Sequence, residues 1–427
     1  MGYVVSKTDA LMVVLYSFLL FLAIGLYAIL LTRSAMKFID EVTLTNKTIL
    51  LRVDFNVSLK PNHTIADDAR IKQSLPTIEL LIKNNNKLIL IAHLGEPEKR
   101  NPTDSLEPIA KRLSTYLPHS KIILVDDFLS NADQIKNQVP GEIILLENIR
   151  FYPGEQENDP EFTKKLAALG EVYVNDAFSV SHRKAASVVG LPELLPSYGG
   201  LLLKKEITVL DGIMKHPQKP FVAIIGGKKI ATKIKFINKL TALADSVLIG
   251  GGLANTFIAA EGLPVGKSLI SEEDIGYAKQ LLTHAKNENT QLILPTDVIV
   301  AKSLDSKTSE IKKVADIAKD EEALDVGQET LATFGKIVDE ANTIIWNGPI
   351  GYIENQEFSR GTDFLYYAIT QNTHVTSVVG GGDTLSAISK KEYLDKITHI
   401  STGGGAMLEF IENGTLPGIE ALKKAHN

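Results

Sequence analysis

The chain has 427 residues, of which 44% are hydrophobic and 22% charged, and its formal net charge is -6 at pH 7. That composition excludes a disordered chain, and the acidic balance argues against a general nucleic-acid binder, which carries a basic face. There is no cysteine, so disulfides, thiol chemistry and cysteine metal sites are excluded, and the length suits two domains of roughly 200 residues.

The first segment in the chain is unlike the rest. From Ala10 to Leu31 no residue is charged and nearly all are apolar. As a helix, about 22 residues rise roughly 33 Å, enough to cross a bilayer core. Arg33 and Lys37 follow, while Lys7 is nearly offset by Asp9, so an anchor here would leave the rest of the chain on the cytoplasmic side. Three readings stay open: a membrane anchor, a cleaved signal peptide with an unusually long apolar run, or a misplaced start codon upstream of Met36.

After Met36 the pattern is α/β throughout. Short runs of Val, Ile and Leu predict strands at 49–53, 88–92, 122–125, 143–146 and 172–174, then at 221–225, 247–249, 292–294, 343–346 and 377–379. Such continuous runs suit strands buried on both faces of a parallel sheet. Helical periodicity falls between them, at 105–117, 160–169 and 272–286. The two halves meet near 192–205, with 217–220 as the alternative, and a helix over 201–214 is the expected connection.

Ligands of open parallel sheets bind beyond the carboxyl ends of the strands. In the first half those ends carry Arg52, Asp54, Asn56, His93, Glu147, Asn148, Arg150, Asn175, Asp176, His182 and Arg183. In the second half they carry glycine clusters at 226–227, 250–252, 348 and 380–382. One mouth is furnished to grip a small anion with side chains, and the other lets backbone N–H groups approach phosphate. Asp383 and Thr384 add a carboxylate for Mg²⁺ and a hydroxyl. A single Gly-Gly pair is usually only a tight turn; three, each after an apolar run, point to a nucleotide.

The stretch 262–268 is one residue short of a Walker A loop, and there is no G-x-G-x-x-G fingerprint, which disfavours P-loop and Rossmann enzymes. Taken singly, Arg70, Arg150 and Arg183 read as surface ion pairs and His93 as a hydrogen-bonded structural histidine. Lys229 and Lys233, four apart, share a helix face after the first glycine pair. Glu147 and Asp176 follow strands beside arginines, where salt bridging is a simpler role than acid–base catalysis.

Taken together these residues form a known pattern. RVDFNV at 52–57, RIKQSLPTI at 70–78, HLG at 93–95, LENIRF at 146–151 and VNDAF at 174–178 lie in the first half. GGGLANTF at 250–257, WNGPIG at 346–351, GGGDT at 380–384 and STGGGA at 401–406 lie in the second. From Met36 onward the chain resembles the phosphoglycerate kinase family.

The resemblance implies an α/β fold of two doubly wound parallel-sheet domains with an interdomain cleft and hinge. Residues 1–35 would be an extension, 36–200 the phosphoglycerate-binding domain, 201–414 the nucleotide-binding domain, and 415–427 a segment packing back on the first domain. It implies reversible phosphoryl transfer between 1,3-bisphosphoglycerate and ADP, or from ATP to 3-phosphoglycerate, with Mg²⁺. It places Asp54, Phe55, Asn56, Arg70, His93, Leu94, Gly95, Glu96, Arg150 and Arg183 on the phosphoglycerate. It places Lys229, Lys233, Gly250, Gly251, Glu354, Gly381, Gly382, Asp383 and Thr384 on the nucleotide, with Asp383 toward the metal. Arg70, Lys233, Gly381 and Gly382 would stabilise the transferring group. A cytoplasmic monomer with small-molecule substrates and no nucleic-acid partner is expected, held to a membrane if Ala10 to Leu31 is an anchor.

The chain departs from the family pattern in places. Glu96 stands where the family has arginine, and is expected to weaken phosphoglycerate binding. Lys228 stands where it has alanine, adding charge near the phosphates that would partly offset Glu96. These departures and the apolar segment define the alternative: a weakly active, membrane-tethered binding protein of the same fold.

Overall fold

A computed structural model describes residues 36–139, 141–228, 233–388 and 392–425. The apolar segment from Ala10 to Leu31 and Lys229 lie outside the described residues. The chain divides into two compact units. One takes the chain through Ala177, then Arg183–Lys204 and everything from Pro417 on; the other takes Phe178–His182 and Lys205–Leu416.

In the first unit, β1 (Thr48–Arg52), β2 (Lys87–Ile91), β3 (Lys121–Val125), β4 (Glu142–Leu146), β5 (Val172–Asn175) and β6 (Ser197–Gly199) form one sheet. Its order is β3-β4-β2-β1-β5-β6, with every pair parallel. Ile49, Leu51, Leu88, Leu90, Leu145 and Val174 are buried in its core, as the apolar runs require of strands covered on both faces. Three helices of this unit are α1 (Ala69–Lys83), α2 (Glu107–Tyr116) and α3 (Pro160–Ala167). Helix α3 begins as its sequence dictates: Asp159 accepts from the Phe162 N–H at 2.7 Å, and proline occupies the first turn. Helix α2 is shorter than the 105–117 that periodicity predicts. The Glu147 carboxylate takes the Ser105 hydroxyl and the Leu106 N–H, both at 2.7 Å, and so sets its start.

Helix α4 (Leu201–Lys215) carries the chain onward. In the second unit, β7 (Phe221–Ile225), β8 (Ser246–Ile249) and β9 (Gln291–Ile293) are followed by β10 (Asp297–Ala301), β11 (Glu310–Lys313) and β12 (Glu322–Val326). Then come β13 (Thr343–Asn347), β14 (Thr376–Gly380) and β15 (His399–Ser401). The main sheet runs β15-β14-β13-β7-β8-β9, all parallel, around a core containing Trp346, Ile224, Phe334 and Val379. The small sheet, β11-β10-β12, is antiparallel. Helices α5 (Ile234–Thr241), α6 (Gly251–Ala260), α7 (Ile275–Asn287), α8 (Gln328–Asp339), α9 (Arg360–Gln371), α10 (Gly382–Ala387) and α11 (Gly404–Asn413) complete this unit. Helix α12 (Pro417–Lys424) belongs to the first unit, where it packs on the turn Ala186–Gly190 and on Leu191–Leu194. Among the described residues no helix is long and apolar enough to cross a membrane.

Candidate active site

In the first unit the strand ends bring together a cationic nest. Arg52, the last residue of β1, is buried; its guanidinium donates to Ser187 Oγ at 2.9 Å, to the Val53 carbonyl at 2.7 Å and to His93 Nδ1 at 3.2 Å. Arginine only donates, so His93 accepts at Nδ1 and carries its proton on Nε2. Burial, and then the charges of Arg52, Arg150, Arg70 and Arg183, hold the His93 pKa well below the ordinary histidine value. His93 is therefore neutral, bonded to Arg52 and within the field of three further arginines.

Each arginine is held differently. Arg70, in the first turn of α1, pairs with the buried Asp54 carboxylate, which also accepts from the Asn56 N–H at 3.1 Å. Asn56 Oδ1 accepts from the Gly95 N–H at 2.9 Å. Arg150 donates to the Gly95 carbonyl at 2.6 Å and pairs with Glu96 at 2.8 Å. Burial draws the Arg150 pKa down, and Glu96 opposes that. Gly95 turns the chain between these contacts at φ +63°, where a side chain would be strained. Arg183 is exposed. Phe55 and Leu94 are buried in the core of this unit.

In the second unit the strand ends interlock through backbone. The Gly226 N–H bonds the Asn347 carbonyl and the Gly227 N–H the Pro349 carbonyl, both at 3.0 Å. The Gly250 N–H bonds the Ile225 carbonyl at 3.0 Å, and the Gly251 N–H bonds the Ile350 carbonyl at 2.5 Å. A Cβ on Gly226 would collide with the Pro349 carbonyl, so only glycine lets these turns meet. Thr384 joins the mesh, accepting from the Gly348 N–H at 2.8 Å and donating to the Gly380 carbonyl at 3.0 Å. The N-terminus of α10 opens at Gly381, and Gly382 and Asp383 in its first turn are exposed.

Lys233 reaches into this mesh, donating to the Gly226 carbonyl at 2.8 Å. Burial pulls its pKa down to about 8, and the Asp383 charge opposes that fall. Glu354 is exposed and lies 3.6 Å from the Lys228 ammonium. A small recess beside Gly251 is lined by Ala254, Asn255, Leu324 and Ile350 among others.

Two sequence-based expectations change. Glu147 and Asp176 are not arginine partners in salt bridges. Glu147 fixes the start of α2, and buried Asp176 accepts from the Leu202 and Leu203 N–H groups at the start of α4. Its pKa is pushed up to about 7 by burial. Arg52 and Asn148, expected only as groups at the strand mouth, have structural partners instead: Arg52 orients His93. The Asn148 amide holds the Leu94 and Asp104 carbonyls at 2.7 and 2.9 Å. A charged residue closing an otherwise apolar strand was the available signal for Arg52.

A family model described as phosphoglycerate kinase matches residues 39–414. The chain is 44% identical to the phosphoglycerate kinase of Dictyoglomus turgidum, covering 89% of this chain and 96% of that one. It is 42% identical to the cytosolic phosphoglycerate kinase 3 of Arabidopsis thaliana, covering 92% of this chain and all of that one. The solved structure of phosphoglycerate kinase from Coxiella burnetii superimposes with a TM-score of 0.81 at 38% identity, covering 92% of this chain and all of that one. With the arginine nest, the glycine mesh and this likeness along nearly its whole length, the chain belongs to the phosphoglycerate kinase family.

Proposed function

We infer that the protein is a glycolytic and gluconeogenic kinase that moves a phosphoryl group reversibly between 1,3-bisphosphoglycerate and ADP. The observation that carries the reading is the strand-end cluster in which buried Arg52 bonds buried His93 while Arg70 and Arg150 each already hold a carboxylate. Arg52 and Arg150 are largely buried, and buried cations are costly unless they meet anions; arginine's planar fork matches both carboxylate and phosphate oxygens. Arg70, His93, Arg150 and Arg183, with Asp54, Asn56 and the 93–96 backbone, would bind the phosphoglycerate in residues 36–200. Residues 201–414 would bind nucleotide through Lys233, Gly250, Gly251, Glu354 and 381–384, with Lys229 as a further phosphate-facing lysine.

In the ATP-forming direction a β-phosphate oxygen of ADP attacks the acyl phosphorus, and its bond to the carboxylate oxygen breaks. Nucleophile and leaving group are both anions, so no proton has to move, and positioning and charge stabilisation are the chain's whole task. The site agrees with that demand, since Glu147 and Asp176 are committed to helix starts. Lys233, Arg70 and the backbone N–H groups at Gly381 and Gly382 would face the charge on the transferring group. Asp383 is a single exposed carboxylate beside the phosphate mouth, which fits a Mg²⁺ held mainly by nucleotide phosphates. The metal would neutralise phosphate charge.

Purified protein with Mg-ATP and 3-phosphoglycerate should give ADP and 1,3-bisphosphoglycerate; no turnover above background would overturn the reading. A monomer on the cytoplasmic side completes it, tested by light scattering and by membrane fractionation with an N-terminal peptide map.

A further inference from the structure

We propose that Glu96 is an internal anion that occupies Arg150 until the acid substrate displaces it, and that it thereby sets substrate affinity. The inference rests on the proposed placement of phosphoglycerate in the arginine nest. Two carboxylates are ion-paired with arginines of that nest, and they differ in exposure. Asp54, on Arg70, has a side chain only 1% exposed, whereas Glu96, on Arg150, is 65% exposed. Asp54 is also fixed by the Asn56 N–H at 3.1 Å. The Glu96 carboxylate has solvent to move into, close to the exposed Glu98, Lys99 and Arg100.

Arg150 itself has little freedom. Its side chain is 10% exposed, and Nη1 is held by the Gly95 carbonyl at 2.6 Å. The Arg150 N–H is held by Asn148 Oδ1 at 3.1 Å. The guanidinium is thus preset, and what changes on binding is which anion it faces. An ion pair with one exposed partner is worth little, while a phosphate or carboxylate accepts from an arginine fork in pairs. The substrate therefore wins, against competition from Glu96 and its like-charge repulsion. Glu96 reaches the substrate through Arg150, so it is a positioning residue.

The test is calorimetric titration of 3-phosphoglycerate into the full chain, its Glu96→Gln and Glu96→Ala variants, paired with steady-state kinetics. Removing an exposed competitor predicts Kd and KM about two- to fivefold lower in both variants, with kcat moving less than KM. Added chloride should narrow the gap between variant and unmodified protein, because the competing charge is screened. Variants that bind as the unmodified protein does, or more weakly, would overturn the proposal and leave the kinase reading standing. No binding by any of the three proteins would overturn the kinase reading and this proposal with it.

Discussion

The Lys233 ammonium is anchored to the Gly226 carbonyl at 2.8 Å, seven residues back along the chain, within a turn that has no room for a Cβ. The glycine turn is therefore the seat of the cation that, in the proposed reading, neutralises a phosphate. Lys233→Ala removes one preorganised charge and should lower kcat by about 100- to 1000-fold, with a smaller change in KM, read by steady-state kinetics.

The same burial gives a pH signature. The Lys233 pKa of about 8 lies below the ordinary lysine value, so its charge is present below pH 8 and lost as pH rises through it. A pH profile of kcat/KM for nucleotide, which reports the free enzyme, should fall above about pH 8. Lys233→Arg, charged at all these pH values, should lose that limb whatever its absolute rate.

Arg70 and Asp54 separate catalysis from stability. Arg70→Ala leaves a buried carboxylate without its cation, and should destabilise the protein by about 1–3 kcal/mol in urea unfolding. It should also cut kcat/KM for 3-phosphoglycerate by at least about 100-fold. Arg70→Lys restores the charge without the fork, so most of the stability should return and most of the activity should not.

Asp176 makes an acid–base prediction about folding. Its folded pKa, about 7, is raised above the ordinary carboxylate value of 3.8, so the folded state binds the extra proton between those limits. The group's contribution is full below about pH 4 and falls as pH rises through 7. The stability of the unmodified protein relative to Asp176→Asn should therefore decline from about pH 4 to 7 and level off above. A flat difference in urea unfolding across that range would contradict the assignment.

Gly226→Ala tests the mesh. Its Cβ meets the Pro349 carbonyl, which is backbone and cannot rotate away. A lower melting temperature and weakened nucleotide affinity should appear together, from strain of about 1–3 kcal/mol.

The strands of both parallel sheets were legible because they are buried on both faces and read as unbroken apolar runs, as in β1 and β7. Strands β6 and β15 were not, being three residues each, with Ser197 and His399 opening them. In the antiparallel sheet, β11 reads Glu-Ile-Lys-Lys and is largely exposed, whereas β10 carries the buried apolar run 298–301, which the sequence reading leaves unassigned. At the site, the sequence named the arginines but not what holds them. Glu147 lies close to Arg150 in the chain, yet its carboxylate turns to the start of α2, and Arg150 pairs with Glu96 instead. Which neighbour a carboxylate chooses depends on where the next helix begins.

Helix α12 gives the fold an order of assembly. Its Ile419 and Leu422 are buried in the first unit, although nearly the whole second unit lies between them and Lys204 in the chain. During synthesis the second unit can be complete while the first still lacks a piece of its core. The arginine-bearing half, begun first, is thus finished only by residues translated after the last of the glycine-bearing half.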